Sequence, residues 1–320
     1  MRVLALFLIF TSTFYSQSKI SGWQKNLEIN QDGNLRYFDV YIPENIKINP
    51  ELVILLHGGT QSKEELFDSN AGASKYWKEV AEKNSFLLVV PNGTNIKNGK
   101  TKGSGLNWND CRKDDILKNK YQSNDVDFIS KLIDWNSWNY RINTQKVFVT
   151  GISNGGLMCF RLASELPQKI TAIATFSANL FQENECVSTN FPIPVMIVNG
   201  TKDEFIPFNG GKTKFKNEDV RSSQETVDFW IKNNNLSKDD VLKTDIDQTI
   251  NDDDSTVEKY VFGNLKTQKQ VIYYIIDGGG HTMPGQKYVL SKFKQRLVGR
   301  QNQDVEGAEI AWEFFNSILK

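Results

Sequence analysis

Six short runs of uninterrupted apolar residues punctuate the chain, at 52–56, 86–90, 147–149, 172–176, 195–198 and 271–276. Continuous rather than alternating hydrophobicity marks strands buried on both faces, as in a parallel sheet covered by helices. Between the runs lie stretches with helical spacing. Val126, Ile129, Leu132 and Ile133 fall on one face, and Ile310, Ala311, Phe314 and Ile318 form a second stripe near the end. Ser222 with Glu225 reads as a capping box ahead of Val227, Trp230 and Ile231. Strand alternating with helix predicts an α/β fold, a mostly parallel twisted sheet with helices on both faces. No repeat or low-complexity linker divides the chain, so residues 19–320 are expected to form one catalytic domain. The polar segment 234–259, with Asn251-Asp252-Asp253-Asp254, reads as an insertion ending in a solvated turn. It lacks the glycine and glutamate of a calcium loop.

The first residues follow a different pattern. Met1 and Arg2 precede the apolar run 3–10, and a small, polar stretch follows to Ser18. This is the signature of a secretory signal peptide over residues 1–18, too short to span a bilayer. The mature protein is expected to be secreted or periplasmic, without a membrane anchor. Removing the leader, which carries Arg2 and no acid, turns 38 basic against 38 acidic residues into a net charge of −1. Such a balance gives no electrostatic case for nucleic-acid binding. Cys111, Cys159 and Cys186 match no zinc spacing, and the chain has two histidines, so neither metal nor cofactor is expected. Export permits a disulfide. Cys111 and Cys186, both in loop sequence, form the candidate pair, whereas Cys159 falls inside a helix as a buried thiol.

The chemistry concentrates in Gly151-Ile152-Ser153-Asn154-Gly155-Gly156, between an apolar strand and an apolar helix. A strand–turn–helix of this form exposes a serine hydroxyl above a sheet edge. Serine is a poor nucleophile until a base removes its proton. Of the two histidines, His281 follows the last strand on Gly278-Gly279-Gly280, and His57 precedes Gly58-Gly59. The order nucleophile, acid, histidine selects His281. Asp203 follows the strand at 195–198 and is the expected acid, with adjacent Glu204 as its competitor. Backbone N–H groups of Gly59 and Asn154 are the expected oxyanion donors, and His57 is expected to orient its loop by hydrogen bonding.

Four segments then occur in a telling order: LHGGTQ from Leu56, GISNGG from Gly151, GTKDEFIP from Gly200 and GGGHTMPG from Gly278. Together with Asn107-Trp108-Asn109 and Asn302-Gln303-Asp304 they resemble the secreted polyhydroxybutyrate depolymerase and feruloyl esterase group of α/β-hydrolases, of the carbohydrate esterase type. The resemblance runs from about Phe38 to the C-terminus. It implies a serine carboxylic-ester hydrolase with Ser153, Asp203 and His281 as triad and Gly59 and Asn154 as oxyanion hole. Trp108 and Met283 are candidate substrate contacts. Met283 stands where the family usually has tryptophan, and Gly59 where some polyester depolymerases have cysteine. The implied substrate is foremost a feruloyl or related acyl ester on plant polysaccharide. A polyhydroxybutyrate or other short-chain hydroxyalkanoate polyester or oligomer is the alternative. A catalytically silent carbohydrate-binding relative is the rival from another class. Oligomeric state is not encoded in any of these signals.

Overall fold

The computed structural model describes residues 21–69, 71–110, 112, 123–183, 191–214, 218–248, 254–264 and 269–318. The leader, the Cys111–Cys186 pair and Asn251-Asp252-Asp253 lie outside them. In chain order the elements are β1 (Gly22–Gln31), β2 (Asn34–Ile42), β3 (Leu52–Leu56), α1 (Tyr76–Asn84), β4 (Leu87–Pro91), α2 (Asp125–Tyr140), β5 (Val147–Ile152), α3 (Asn154–Glu165), β6 (Ala172–Phe176) and β7 (Val195–Gly200). A two-residue ribbon, β8 (Gly211–Lys212) with β9 (Asp219–Val220), precedes α4 (Ser223–Asn233). Then come β10 (Val241–Ile246), β11 (Thr256–Phe262), β12 (Val271–Asp277), α5 (Lys292–Val298) and α6 (Gly307–Ser317).

Ten strands form one sheet in the order β1-β2-β4-β3-β5-β6-β7-β12-β11-β10. The six central strands, β4 to β12 in that order, run parallel, and antiparallel pairs extend the sheet at both edges. The apolar runs fall on the central strands because each of these packs against helices on both faces. In β3, Leu52, Ile54 and Leu56 enter the core beneath α2, α3 and α4. Val53 and Leu55 enter the core beneath α1 and α6. Phe148 of β5 stacks on Phe315 of α6 at 4.6 Å between ring centroids, closing the second layer. The stripe Val126, Ile129, Leu132, Ile133 is buried, as are Ala311, Phe314 and Ile318. The Ser222–Glu225 capping box is formed in both directions.

Two parts of the architecture differ from the sequence expectation. The segment 234–259 is not a simple insertion, because it supplies β10 and most of β11. Val241 and Leu242 are exposed on that edge, which is why the segment reads as polar and unstructured. The β1–β2 hairpin at the opposite edge was also not anticipated. Its turn, Asp32-Gly33, has φ of 51° and 88° at the two central positions, as the tight primed hairpin turn requires. That Asp-Gly pair is the local signal that marks it. Among the described residues, no helix is long and apolar enough to cross a membrane.

Candidate active site

The site grows from the point where β5 becomes α3. Ser153 sits between them with φ 56° and ψ −123°, a conformation that costs a non-glycine residue about 1–3 kcal/mol. Its neighbours enforce that geometry. Ser153 N–H donates to the Phe176 carbonyl at 2.9 Å, and Leu157 N–H returns to the Ser153 carbonyl at 2.9 Å. The chain crosses itself tightly here. A Cβ on Gly155 would lie 2.5 Å from the Leu56 carbonyl oxygen, and one on Gly151 would lie 2.6 Å from the Gly155 carbonyl carbon. Glycine at both positions is a packing requirement.

Asp203 follows the end of β7, and His281 follows β12, the strand paired beside it. Asp203 Oδ2 lies 2.7 Å from His281 Nδ1. Its other oxygen accepts from the N–H groups of Phe205 at 2.8 Å and Ile206 at 2.9 Å. With Nδ1 bound to a carboxylate, the imidazole keeps Nε2 free to act as an acceptor. The two loops are bolted together by their backbones. Lys202 N–H donates to the Gly279 carbonyl at 2.8 Å, and Thr201 N–H donates to the Ile276 carbonyl at 3.0 Å. A Cβ on Gly200 would fall 2.3 Å from the Gly279 oxygen. The Phe205 ring stacks on His281 at 4.8 Å, with a 20° angle between the planes. Glu204, the competing acid, points into solvent and pairs with Lys214 at 2.8 Å. That lysine lowers the Glu204 pKa.

His57 has a different task. It is fully buried, and burial pushes its pKa down to about 4. Gly93 N–H donates to its Nε2 at 3.0 Å, so the proton sits on Nδ1 and is donated to the Gly58 carbonyl at 2.7 Å. This neutral imidazole is a strut between two loops. It carries Gly58-Gly59-Thr60 to the side of Asn154. A Cβ on Gly59 would lie 3.4 Å from the Asn154 Cβ. The N–H groups of Gly59 and Asn154 have no acceptor among the described residues, and both residues line the same cavity as Ser153 and His281. That cavity holds about 610 Å³.

Of the two candidate substrate contacts, Met283 lies on the cavity wall and Trp108 does not. The indole is buried, its Nε1–H donates to the His57 carbonyl at 3.0 Å, and its ring lies 4.9 Å from the His57 ring. Satisfying a buried indole N–H inside the protein leaves it no reach into the cleft.

The sequence reading missed the group that fixes Asn154. Its Oδ1 accepts from Trp108 N–H at 2.7 Å, and its Nδ2 donates to the Trp108 carbonyl at 3.0 Å and to Asp110 Oδ2 at 2.6 Å. Asp110 pairs in turn with Arg112, which reaches Glu218 at 2.9 Å. Burial lowers the Arg112 pKa, but Asp110 and Glu218 outweigh it and raise the value overall. Asn107 Oδ1 accepts from Thr60 N–H at 3.2 Å, tying the same loop to the glycine turn. The one local hint was the polar run continuing from Asn107-Trp108-Asn109 into Asp110 and Arg112. Phe205 carried no signal beyond standing two residues after Asp203.

The sequence profile of a family described as phospholipase/carboxylesterase matches residues 40–234. The bifunctional acetylxylan esterase/xylanase XynS20E of Neocallimastix patriciarum is 29% identical over 190 residues, 58% of this chain and 24% of that protein. Poly(3-hydroxyalkanoate) depolymerase C of Paucimonas lemoignei is 23% identical over 174 residues, 54% of this chain and 37% of the relative. The chain thus spans only about a quarter to somewhat over a third of the length of these relatives. Among solved structures, the acetyl xylan esterase from Aspergillus awamori superposes with a TM-score of 0.57 at 15% identity, covering 93% of this chain and all of that one. That likeness is one of fold, the α/β-hydrolase sheet.

Proposed function

Because the chain belongs to the phospholipase/carboxylesterase family, we propose that it is a serine carboxylic-ester hydrolase whose triad is Ser153, Asp203 and His281. The observation that carries this reading is the 2.7 Å Asp203–His281 pair opening on the same cavity as the strained Ser153. In this reading Ser153 Oγ attacks the ester carbonyl and His281 Nε2 takes its proton. Asp203 holds the imidazole in the tautomer that leaves Nε2 able to accept. The free N–H groups of Gly59 and Asn154 receive the developing oxyanion. Donors fixed in advance by Asn107, Asp110 and the His57 strut need no reorganisation when charge develops there. His281 then protonates the leaving alcohol, and water repeats the sequence on the acyl-enzyme.

The substrate we propose is an acyl ester on a plant polysaccharide, feruloyl or a related acyl group. The acetylxylan esterase names among the relatives support acetyl as that related group. The depolymerase relative supports a second reading, a short-chain hydroxyalkanoate oligoester. Export through the 1–18 leader would put the enzyme where either polymer is met. A hydrolysis panel on purified protein tests both: p-nitrophenyl acetate, acetylated xylooligosaccharides, methyl ferulate, feruloylated arabinoxylan and hydroxybutyrate oligomers. Turnover of a sugar ester that disappears in Ser153→Ala supports the proposal. Rapid cleavage of hydroxybutyrate oligomers alone overturns the polysaccharide assignment. Folded protein that binds glycan but hydrolyses nothing and resists fluorophosphonate labelling is the silent relative.

A further inference from the structure

Phe205 stands between the proposed base and a surface cation. Its ring lies nearly parallel to the His281 imidazole, with 4.8 Å between centroids and 20° between planes. Lys214 Nζ lies over the same ring, 4.7 Å from its centroid, and pairs with Glu204 at 2.8 Å. A near-parallel imidazole covers one face of the ring, which leaves the other to the ammonium. The backbone of Phe205 is fixed as well. Its N–H donates to Asp203 Oδ1 at 2.8 Å, and its carbonyl accepts from Lys214 N–H at 3.2 Å. One residue thus touches the acid through its backbone and the base through its side chain. Phe205 also lines the cavity. An aromatic side chain on such a wall would ordinarily serve as a platform for a substrate ring. With both faces covered, only its edge is open to a substrate.

Resting on the esterase reading, we propose that Phe205 is a positioning residue: its ring sets the plane of the His281 imidazole and stabilises the imidazolium formed during turnover. When Ser153 Oγ attacks, its proton moves to His281 Nε2 and the neutral imidazole becomes a cation. The face of a phenyl ring is the negative part of its quadrupole, so it attracts a cation more strongly than a neutral imidazole. The contact is therefore stronger in the transition state than in the resting enzyme. That difference raises kcat, whereas equal contacts in both states would only tighten binding. Lys214 holds the far face of the ring, and Glu204 offsets its charge. The other charged groups near His281 are Asp203 on its Nδ1 and, around the cavity, Glu65, Asp68, Arg112 and Lys294. A substitution at position 205 alters none of them.

The test uses the full chain as wild type, Phe205→Leu and Phe205→Tyr, each with its melting temperature checked. kcat and KM on p-nitrophenyl acetate are read across pH. Phe205→Leu should lower kcat by about 3–30-fold, the range of a cation–π contact from exposed to desolvated, and leave KM within about twofold. The acid limb of its kcat/KM profile should move to lower pH by about 0.5–1.5 units, because losing a contact to the protonated ring favours the neutral one. Phe205→Tyr keeps the ring face and should hold kcat within about threefold of wild type, with the acid limb unmoved. Phe205→Met carries the same expectations as Phe205→Leu should the latter not fold. Folded Phe205→Leu with wild-type kcat and acid limb overturns the proposal. So does a raised KM at constant kcat, the mark of a substrate platform, and so does Phe205→Tyr as impaired as Phe205→Leu. Failure of the underlying esterase reading has a separate signature, wild type that leaves p-nitrophenyl acetate intact. His281 still reports in that case. The chain has two histidines, and the ring NMR signal lost in His281→Gln identifies it. That signal should titrate at lower pH in Phe205→Leu than in wild type, and coincident titrations would overturn the contact itself.

Discussion

Replacing Asp203 by asparagine changes one atom and forces a choice on the site. Oδ1 accepts two backbone N–H groups at 2.8 and 2.9 Å, and Oδ2 accepts from His281 Nδ1 at 2.7 Å. Asparagine has a single oxygen. If it stays with the two amides, its NH2 faces His281, and only a histidine protonated on Nε2 can accept there. That tautomer has no lone pair for the serine proton. If instead the amide flips, its NH2 meets two N–H donors, and leaving both unpaired costs about 2–6 kcal/mol. The competent arrangement is then populated at roughly one part in 30 to one part in 2 × 10⁴. The kcat on p-nitrophenyl acetate should fall by about 30- to 10⁴-fold, the upper end matching the loss when other triads acquire the wrong tautomer. KM should change little, since the residue lies behind the histidine. The control is Glu204→Gln, which breaks only a solvent-screened pair with Lys214, so its kcat should stay within about threefold. Asp203→Asn retaining more than a tenth of wild-type kcat, at an unchanged melting temperature, would refute this assignment of the acid.

Three further outcomes follow from packing and burial. Gly200→Ala puts a Cβ 2.3 Å from the Gly279 oxygen, pushing the Asp203 turn from the His281 loop; misplacement of about 1 Å predicts a roughly 10²-fold loss in kcat, and near-normal turnover would show that the junction relaxes without moving the pair. His57 is neutral when folded, with its pKa lowered from 6.5 to about 4. The unfolded chain therefore binds more protons within that window, and stability present above pH 6.5 should decline by up to about 3 kcal/mol as pH falls toward 4. Urea midpoints should show this acid slope flattened in His57→Gln, and an unaltered slope would remove His57 as its source. Burial raises the Cys159 thiol pKa and hides the sulfur, so peptide-mapped alkylation at pH 8 should find Cys159 unmodified until denaturation; rapid labelling of the native protein would contradict the packing of α3.

Local chemistry was enough to reveal the frame and to single out the three residues of the proposed triad. The central strands announce themselves because residues such as Leu52 to Leu56 alternate between two apolar layers, leaving no polar position in the run. The serine turn is legible because its glycine–serine pattern stands between an apolar strand and an apolar helix, although the demand for Gly155 comes from Leu56 and His57, far away in sequence. Asp203 and His281 are legible because each stands just past an apolar strand, in the chain order this fold uses. The edges were less visible. An edge strand such as β10 faces solvent, so its hydrophobic signal fades, although the Asp32-Gly33 turn at the other edge was available to be read.

Tertiary structure alone decided how those pieces support one another. Asn154 is held by Asp110, 44 residues away, and Arg112 reaches Glu218 across 106 residues. Such distances close only once the sheet order is set, and no spacing in the chain records that order. The same holds for Trp108. Its aromatic side chain is equally compatible with a cleft or a core until the His57 carbonyl is found within reach of its indole N–H.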